Sequence, residues 1–203
     1  MAPRKYDLGK RAQAVAETRR RIVDATFELH NEKGVVATSM QDVAERADVA
    51  LRTVYYHYPT VDDLVAGCGA KVMALLAPPA PDLLSGLGTF EERMRRLVHE
   101  LFAMYGRAAT QLEVARCEQR EVPALAGFLA AEAAARDALV REALRPFRTG
   151  GAHVRQVMAL TDFYVWKALT QQKVTTRQAV DIICRSLASV VGPGTAGKRG
   201  AAP

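Results

Sequence analysis

Apolar residues recur at helical spacing along nearly the whole chain. Between Thr18 and Lys33, Ile22, Ala25, Thr26 and Leu29 share one face, with Val23 and Phe27 beside it. Gly34 follows, in the role of a helix C-cap. Ser39-x-x-Asp42 is a capping-box pattern, and Met40, Val43, Ala44 and Ala47 then fall on one stripe. Asp48 stands at the turn, where Asp tolerates left-handed backbone. Val49 and Val54 are spaced to pack a second short helix against the first, with Arg52, Thr53, Tyr56 and His57 facing outward. Pro59 ends that helix, because the residue before a proline is pushed out of the α region. Thr60-x-x-Asp63 opens another, running to Ala77 with Leu64, Val65, Cys68, Val72 and Leu75 inside, and Pro78-Pro79-Ala80-Pro81 breaks it.

The second half is a further set of helices. Phe90 to Gly106 carries Met94, Leu97, Val98, Leu101, Phe102 and Tyr105. A short helix spans Leu112 to Arg120. Pro123 begins the next as a first-turn proline, and the pattern continues to Leu144 before Gly150-Gly151. One helix is expected over His153–Gln172 and another over Thr175–Val191, ending at Gly192-Pro193. No stretch alternates with a strand period, so the fold class is all-α. The expected division is an arm and helix-turn-helix domain over 1–60, a helical effector-binding and dimerisation domain over 61–192, and a disordered tail over 193–203. The last two helices are apolar on more than one face. The spare face predicts a symmetric homodimer built by pairing them with their copies.

Composition narrows the class. The chain has 203 residues, 49% hydrophobic and 25% charged, enough for a packed core in a soluble globular protein. The net charge is +6, and its location matters more than its size. Arg4, Lys5, Lys10, Arg11, Arg19, Arg20 and Arg21 precede Ile22, against only Asp7 and Glu17. Residues 1–14 read as a mobile basic arm or as a solvated terminus. Cys68, Cys117 and Cys184 give neither a disulfide framework nor a zinc spacing and read as small apolar residues in a reducing cytosol. There is no signal-peptide pattern and no apolar run of membrane-spanning length, so a cytoplasmic protein is expected.

Two short helices joined by a tight turn, the second with an exposed Arg/Thr/Tyr/His face, describe a helix-turn-helix. The same spacing fits an ordinary helical hairpin with a solvated face. The stretches RRRIVDATFELHNEKG, TSMQDVAERADV and ALRTVYYHYPTVDDL resemble the tetracycline-repressor (TetR) family of bacterial transcriptional regulators. The likeness runs from Arg19 to about Leu64; beyond it, the chain resembles the family only in being helical and apolar. It implies a DNA-binding head, a C-terminal domain that binds a small effector, and a homodimer. Three positions depart from the family pattern: Asp48 stands where Gly is usual, Ala50 where a capping Ser is common, and Val61 where a Lys commonly reaches a phosphate.

Base edges are expected to be met by Arg52, Thr53 and Tyr56, with Gln41 and Leu51 beside them. Ser39, Tyr55, His57 and Arg19–Arg21 are expected to hold phosphates, Tyr55 having a core position as its alternative. The second domain is rich in aromatic groups. Phe102, Tyr105, Phe128, Phe163 and Trp166 are candidates to line an effector pocket, with Cys117, Asp162 and His99 supplying polarity; each also fits an ordinary core position. No catalytic constellation, cofactor motif or metal spacing stands out, so no enzyme, cofactor or metal is expected. The expected function is a DNA-binding transcriptional regulator, a repressor released from a pseudopalindromic operator by a small apolar or aromatic effector. The alternatives are a regulator controlled by a protein partner, and a helical small-molecule-binding or catalytic protein with a vestigial helix-turn-helix.

Overall fold

The computed structural model describes residues 8–80, 82–147 and 149–191. Among them are ten α-helices and no strand. In chain order they are α1 Leu8–Lys33, α2 Met40–Arg46, α3 Leu51–His57, α4 Val61–Leu76, α5 Phe90–Arg107, α6 Ala109–Glu118, α7 Pro123–Leu144, α8 Gly151–Leu160, α9 Phe163–Gln171 and α10 Thr176–Val191. The expected tail and the first seven residues of the arm lie outside the described residues.

The chain forms two compact units. The first comprises the residues up to Leu75 together with Thr110–Leu129; the second comprises Leu76–Ala109 and the residues from Ala130 onward. The division expected at 60/61 therefore differs from the compact units. Most of α4 belongs with the helix-turn-helix, and so do α6 and the start of α7. A second small core explains this: Val35, Ala115, Val122 and Leu125 are buried together, with Val65, Val114 and Phe128 packed on them. The Glu118 carboxylate adds to it, accepting from the backbone N–H groups of Val35 (2.7 Å) and Val36 (2.9 Å). Gly34 makes room for that carboxylate. It is left-handed, at φ +87°, and a Cβ there would collide with Glu118.

The main core of the first unit joins α1 to α4. Ile22, Ala25 and Leu29 meet Met40, Val43, Ala44, Ala47, Val54, Tyr58 and Leu64, all buried. In the second unit α5 packs chiefly on α10, burying Leu97, Leu101, Ile183 and Leu187. Arg93 is buried there as well. Its guanidinium donates to the carbonyls of Leu84, Leu87, Glu142 and Ala143, which offsets its loss of water.

Several elements differ from their expected spans. The helix expected from Thr18 begins at Leu8. The Lys-Arg-Ala-Gln-Ala stretch is made of good helix formers and extends the helix without needing a buried face. The short helix expected over Leu112–Arg120 spans Ala109–Glu118. The single helix expected over His153–Gln172 is two, α8 and α9. Asp162 causes the break: it takes the N-cap conformation and accepts from the Tyr164 N–H at 2.9 Å, so a new helix starts there. Cys68 and Cys184 are buried as expected, whereas Cys117 is exposed.

Candidate nucleic-acid interface

The frame of the helix-turn-helix is built from local hydrogen bonds. Ser39 caps α2 by accepting from the Asp42 N–H, while the Asp42 carboxylate accepts from the Ser39 backbone, completing the capping box. Lys33 pairs with the same carboxylate at 2.8 Å. That contact, then the Ser39 bonds, hold Asp42 well below the usual carboxylate range. Asp48 makes the turn at φ 52°. Arg21 stabilises it, donating to the carbonyls of Ala47 and Asp48 and to the Asp48 carboxylate. The left-handed position is thus filled by Asp where Gly is the family habit, and the turn closes all the same. Ala50 precedes α3 with no side-chain cap. The Thr60–Asp63 capping box forms as the spacing predicts.

Three further links brace this frame. Arg46 of α2 makes a two-pronged bond with Glu32 of α1, both arms at 2.8 Å. Lys71 of α4 reaches Asp24 of α1 at 2.6 Å and lies over the Phe27 ring. Tyr58 is buried, with its hydroxyl accepting from Arg19 at 3.0 Å and the guanidinium over its ring. Gly67 of α4 lets that ring approach, since a Cβ there would collide with it.

On this frame α3 presents its outer face. Val54 is fully buried and turns the helix inward. Tyr56 is 80% exposed and Tyr55 48% exposed. Arg52 is exposed and, among the described residues, has neither an ion-pair nor a hydrogen-bond partner. Thr53, His57 and Leu51 are half-buried on the flanks, and the Tyr56 and His57 rings meet edge to face at 5.1 Å. Gln41 is exposed on α2 and donates to Glu45 at 2.7 Å. An unpaired guanidinium beside a protruding aromatic ring can offer two N–H donors to guanine and an apolar edge to a thymine methyl. Val61, in the place of the family's lysine, is exposed and apolar.

The basic cluster behind this face is engaged within the protein. Arg20 lies between Glu17 at 2.6 Å and Asp24 at 2.7 Å. Arg19 serves Tyr58 and Arg21 serves the turn. Arg4 and Lys5 lie outside the described residues.

The residues expected around an effector fall into both units. Phe102, Tyr105, Phe163 and Trp166 pack on one another in the second, with Tyr105 and Phe163 crossing edge to face at 5.6 Å and Trp166 against both. Phe102, Tyr105 and Phe163 are almost completely buried, and the Tyr105 hydroxyl donates to the Thr161 carbonyl. Asp162 combines its capping role with a 3.1 Å ion pair to Arg136. His99 is an exposed partner of Glu100. Cys117 and Phe128 belong to the first unit. Phe128 lies in the wall of a cavity of about 320 Å³ there, with Phe27, His30, Asn31, Cys68, Gly69, Val72 and Gln111. Sequence patterning missed those companions. The one signal available was a pair of glycines inside α4, a position where glycine weakens a helix.

Residues 22–68 match the family described as bacterial regulatory proteins, tetR family. Over 96 residues the chain is 38% identical to the transcriptional repressor KstR of Mycolicibacterium smegmatis, and over 65 residues 43% identical to KstR of Rhodococcus jostii. The first match covers 47% of this chain and 46% of that repressor; the second covers 32% and 30%. The chain thus spans less than half the length of these relatives. Among solved structures, the multidrug binding protein EbrR in complex with imidazole aligns over 91% of this chain and 96% of its own, with TM-score 0.62 and 25% identity. A transcriptional regulator from Rhodococcus sp. Rha1 shares the fold over 88% of this chain and 98% of its own, with TM-score 0.64 and 18% identity. Residues 22–68 thus carry the helix-turn-helix of the TetR family of bacterial regulatory proteins, within an all-helical fold that the chain shares with these solved structures.

Proposed function

We propose that the chain is a sequence-specific transcriptional repressor acting in the cytoplasm as a homodimer, and that a small apolar effector releases it from a pseudopalindromic operator. The observation that carries the DNA reading is the outer face of α3, where Arg52 and Tyr56 project from a helix whose frame is fully braced. The relatives named as repressors support the direction of control, and the multidrug binding neighbour supports a small-molecule effector. Two-fold symmetry would set the half-sites about one helical turn apart. Release requires that the effector bind the DNA-incompetent state more tightly than the competent one.

Selection of binding sites from random duplexes by the purified chain tests this reading, followed by titrations on half-site variants. Arg52→Ala is expected to cost about 1–3 kcal/mol and to relax preference at one base position. Failure to enrich any duplex, or an unchanged base preference in Arg52→Ala, would remove α3 as the reading helix.

A further inference from the structure

The interior of α4 carries two glycines, each costing a helix about 1 kcal/mol relative to alanine. Gly67 has its reason in the Tyr58 ring. Gly69 has none of that kind: no atom lies within 4 Å of where its Cβ would stand. Gly69 is one of the residues that line the cavity of about 320 Å³. The cavity lies wholly within the first unit, among α1, α4, α6 and the first turns of α7. Its wall is mostly apolar, with Phe27, Val65, Val72, Val114, Leu125 and Phe128.

Three polar side chains interrupt the wall. Gln111 donates to the Asn31 carbonyl oxygen at 2.7 Å. That bond uses one N–H of one amide and the oxygen of the other; an amide pair carries further donors and an acceptor. His30 stands one residue before Asn31. Burial pushes its imidazole down to about 4, against the opposing pull of the Glu118 carboxylate, so the ring is neutral near pH 7, with one donor and one acceptor nitrogen. Cys68 is likewise a neutral thiol, pushed up to about 11 by burial. No Asp, Glu, Lys or Arg stands among the described lining residues.

We propose that this cavity binds an uncharged, largely apolar small molecule bearing one hydrogen-bonding group, which His30, Asn31 and Gln111 meet. The volume is that of about ten water molecules, at the small end of ligand pockets. No ionised side chain among the described residues lines the wall to offset the hydration that an ionised ligand would lose here. The site also touches what holds the helix-turn-helix: α1 and α4 form two of its walls, and α6 carries Glu118, which grips the backbone at Val35 and Val36. An effect of the ligand on DNA rests on the repressor reading above; the binding does not.

N-Phenyl-1-naphthylamine is a suitable probe: it is uncharged, carries one N–H and brightens in apolar surroundings. 8-Anilinonaphthalene-1-sulfonate has the same rings with a sulfonate added. The full chain is expected to bind the amine saturably, and an equal concentration of the sulfonate is expected not to displace it. Gly69→Leu and Val72→Phe fill the cavity from successive turns of α4 and should each weaken amine binding at least tenfold. Gly69→Leu puts a better helix former into α4, so its unfolding temperature should not fall. Absence of saturable binding, wild-type affinity in both filled variants, or displacement by the sulfonate would each overturn the proposal. Selected duplex is titrated in parallel. A chain that takes up the amine but binds no duplex refutes the repressor reading and leaves the cavity site standing.

Discussion

Arg52 and Arg20 carry the same charge in different surroundings. Arg20 is clasped by Glu17 and Asp24, whereas Arg52 projects without a partner among the described residues. A guanidinium already neutralised on its own helix has little field left for a phosphate, so Arg20→Ala should leave base preference unchanged and alter the salt dependence only slightly. Titration of both variants at two salt concentrations separates the roles, and a steep loss of salt dependence in Arg20→Ala would contradict this. His30 gives a second prediction at this scale. Its folded form resists protonation until about pH 4, while the unfolded chain protonates near 6.5. The unfolded state therefore binds more protons between these values, and stability falls as pH is lowered through that window. From pH 7 to 5 the loss should be about 2 kcal/mol. Denaturant unfolding of wild type and His30→Gln at both pH values isolates it, because the variant lacks this component. Equal pH slopes would mean that His30 is not held neutral.

Helix α4 shows at the scale of an element how one residue type serves two ends. Gly67 and Gly69 are two positions apart, and alanine raises helix propensity at both by about 1 kcal/mol. At Gly67 the added methyl would collide with the Tyr58 ring, which is buried and held by Arg19. At Gly69 it enters open space. Gly67→Ala is therefore expected to destabilise by about 1–3 kcal/mol, and Gly69→Ala to stabilise by up to about 1 kcal/mol. Thermal unfolding of the two variants checks the pair; the same sign in both would mean that propensity alone decides. The α8–α9 break makes a related point. Hydrophobic spacing runs through it, and a single capping carboxylate, Asp162, interrupts the helix by offering the backbone a better local bond.

For the molecule as a whole, assembly turns on which apolar residues one chain leaves uncovered. The last helices read as having a spare face. Val180 and Leu187 of α10 lie inside the chain's own core, against α5, while Tyr164 is 57% exposed and Val190 41% exposed. Under the homodimer reading, the pairing surface should centre on Tyr164 and Val190, with the half-buried Val165 and Leu169 at its edge. Tyr164→Arg should shift light scattering toward monomer with the unfolding of each chain unaltered, whereas Leu187→Arg should unfold the chain. A Tyr164→Arg protein that keeps the wild-type mass would move the interface elsewhere. No helix among the described residues is long and apolar enough to cross a membrane.

The helices themselves were legible in the chain, and so was the helix-turn-helix. Capping boxes at Ser39 and Thr60, the left-handed turn at Asp48 and the stop at Gly34 are written in contiguous residues. Their energetics are local, so periodicity and capping rules suffice to find them. The exposure of Arg52 and Tyr56 on α3 followed from the same periodicity, whereas Thr53 and His57, read as outward, are half-buried. What the tertiary structure decided was everything that depends on partners distant in sequence. It paired Arg19 with a tyrosine 39 residues away and Arg21 with the turn at Asp48, 27 residues away. It brought Glu118 to the loop after α1, 83 residues upstream of it, and so drew α6 into the same unit as the helix-turn-helix. It packed Tyr105, Phe163 and Trp166 against one another and opened a cavity beside Gly69 instead. Aromatic content measures how much apolar surface must be buried. Whether that surface closes on itself or leaves room for a ligand is set by how helices far apart in the chain pack together.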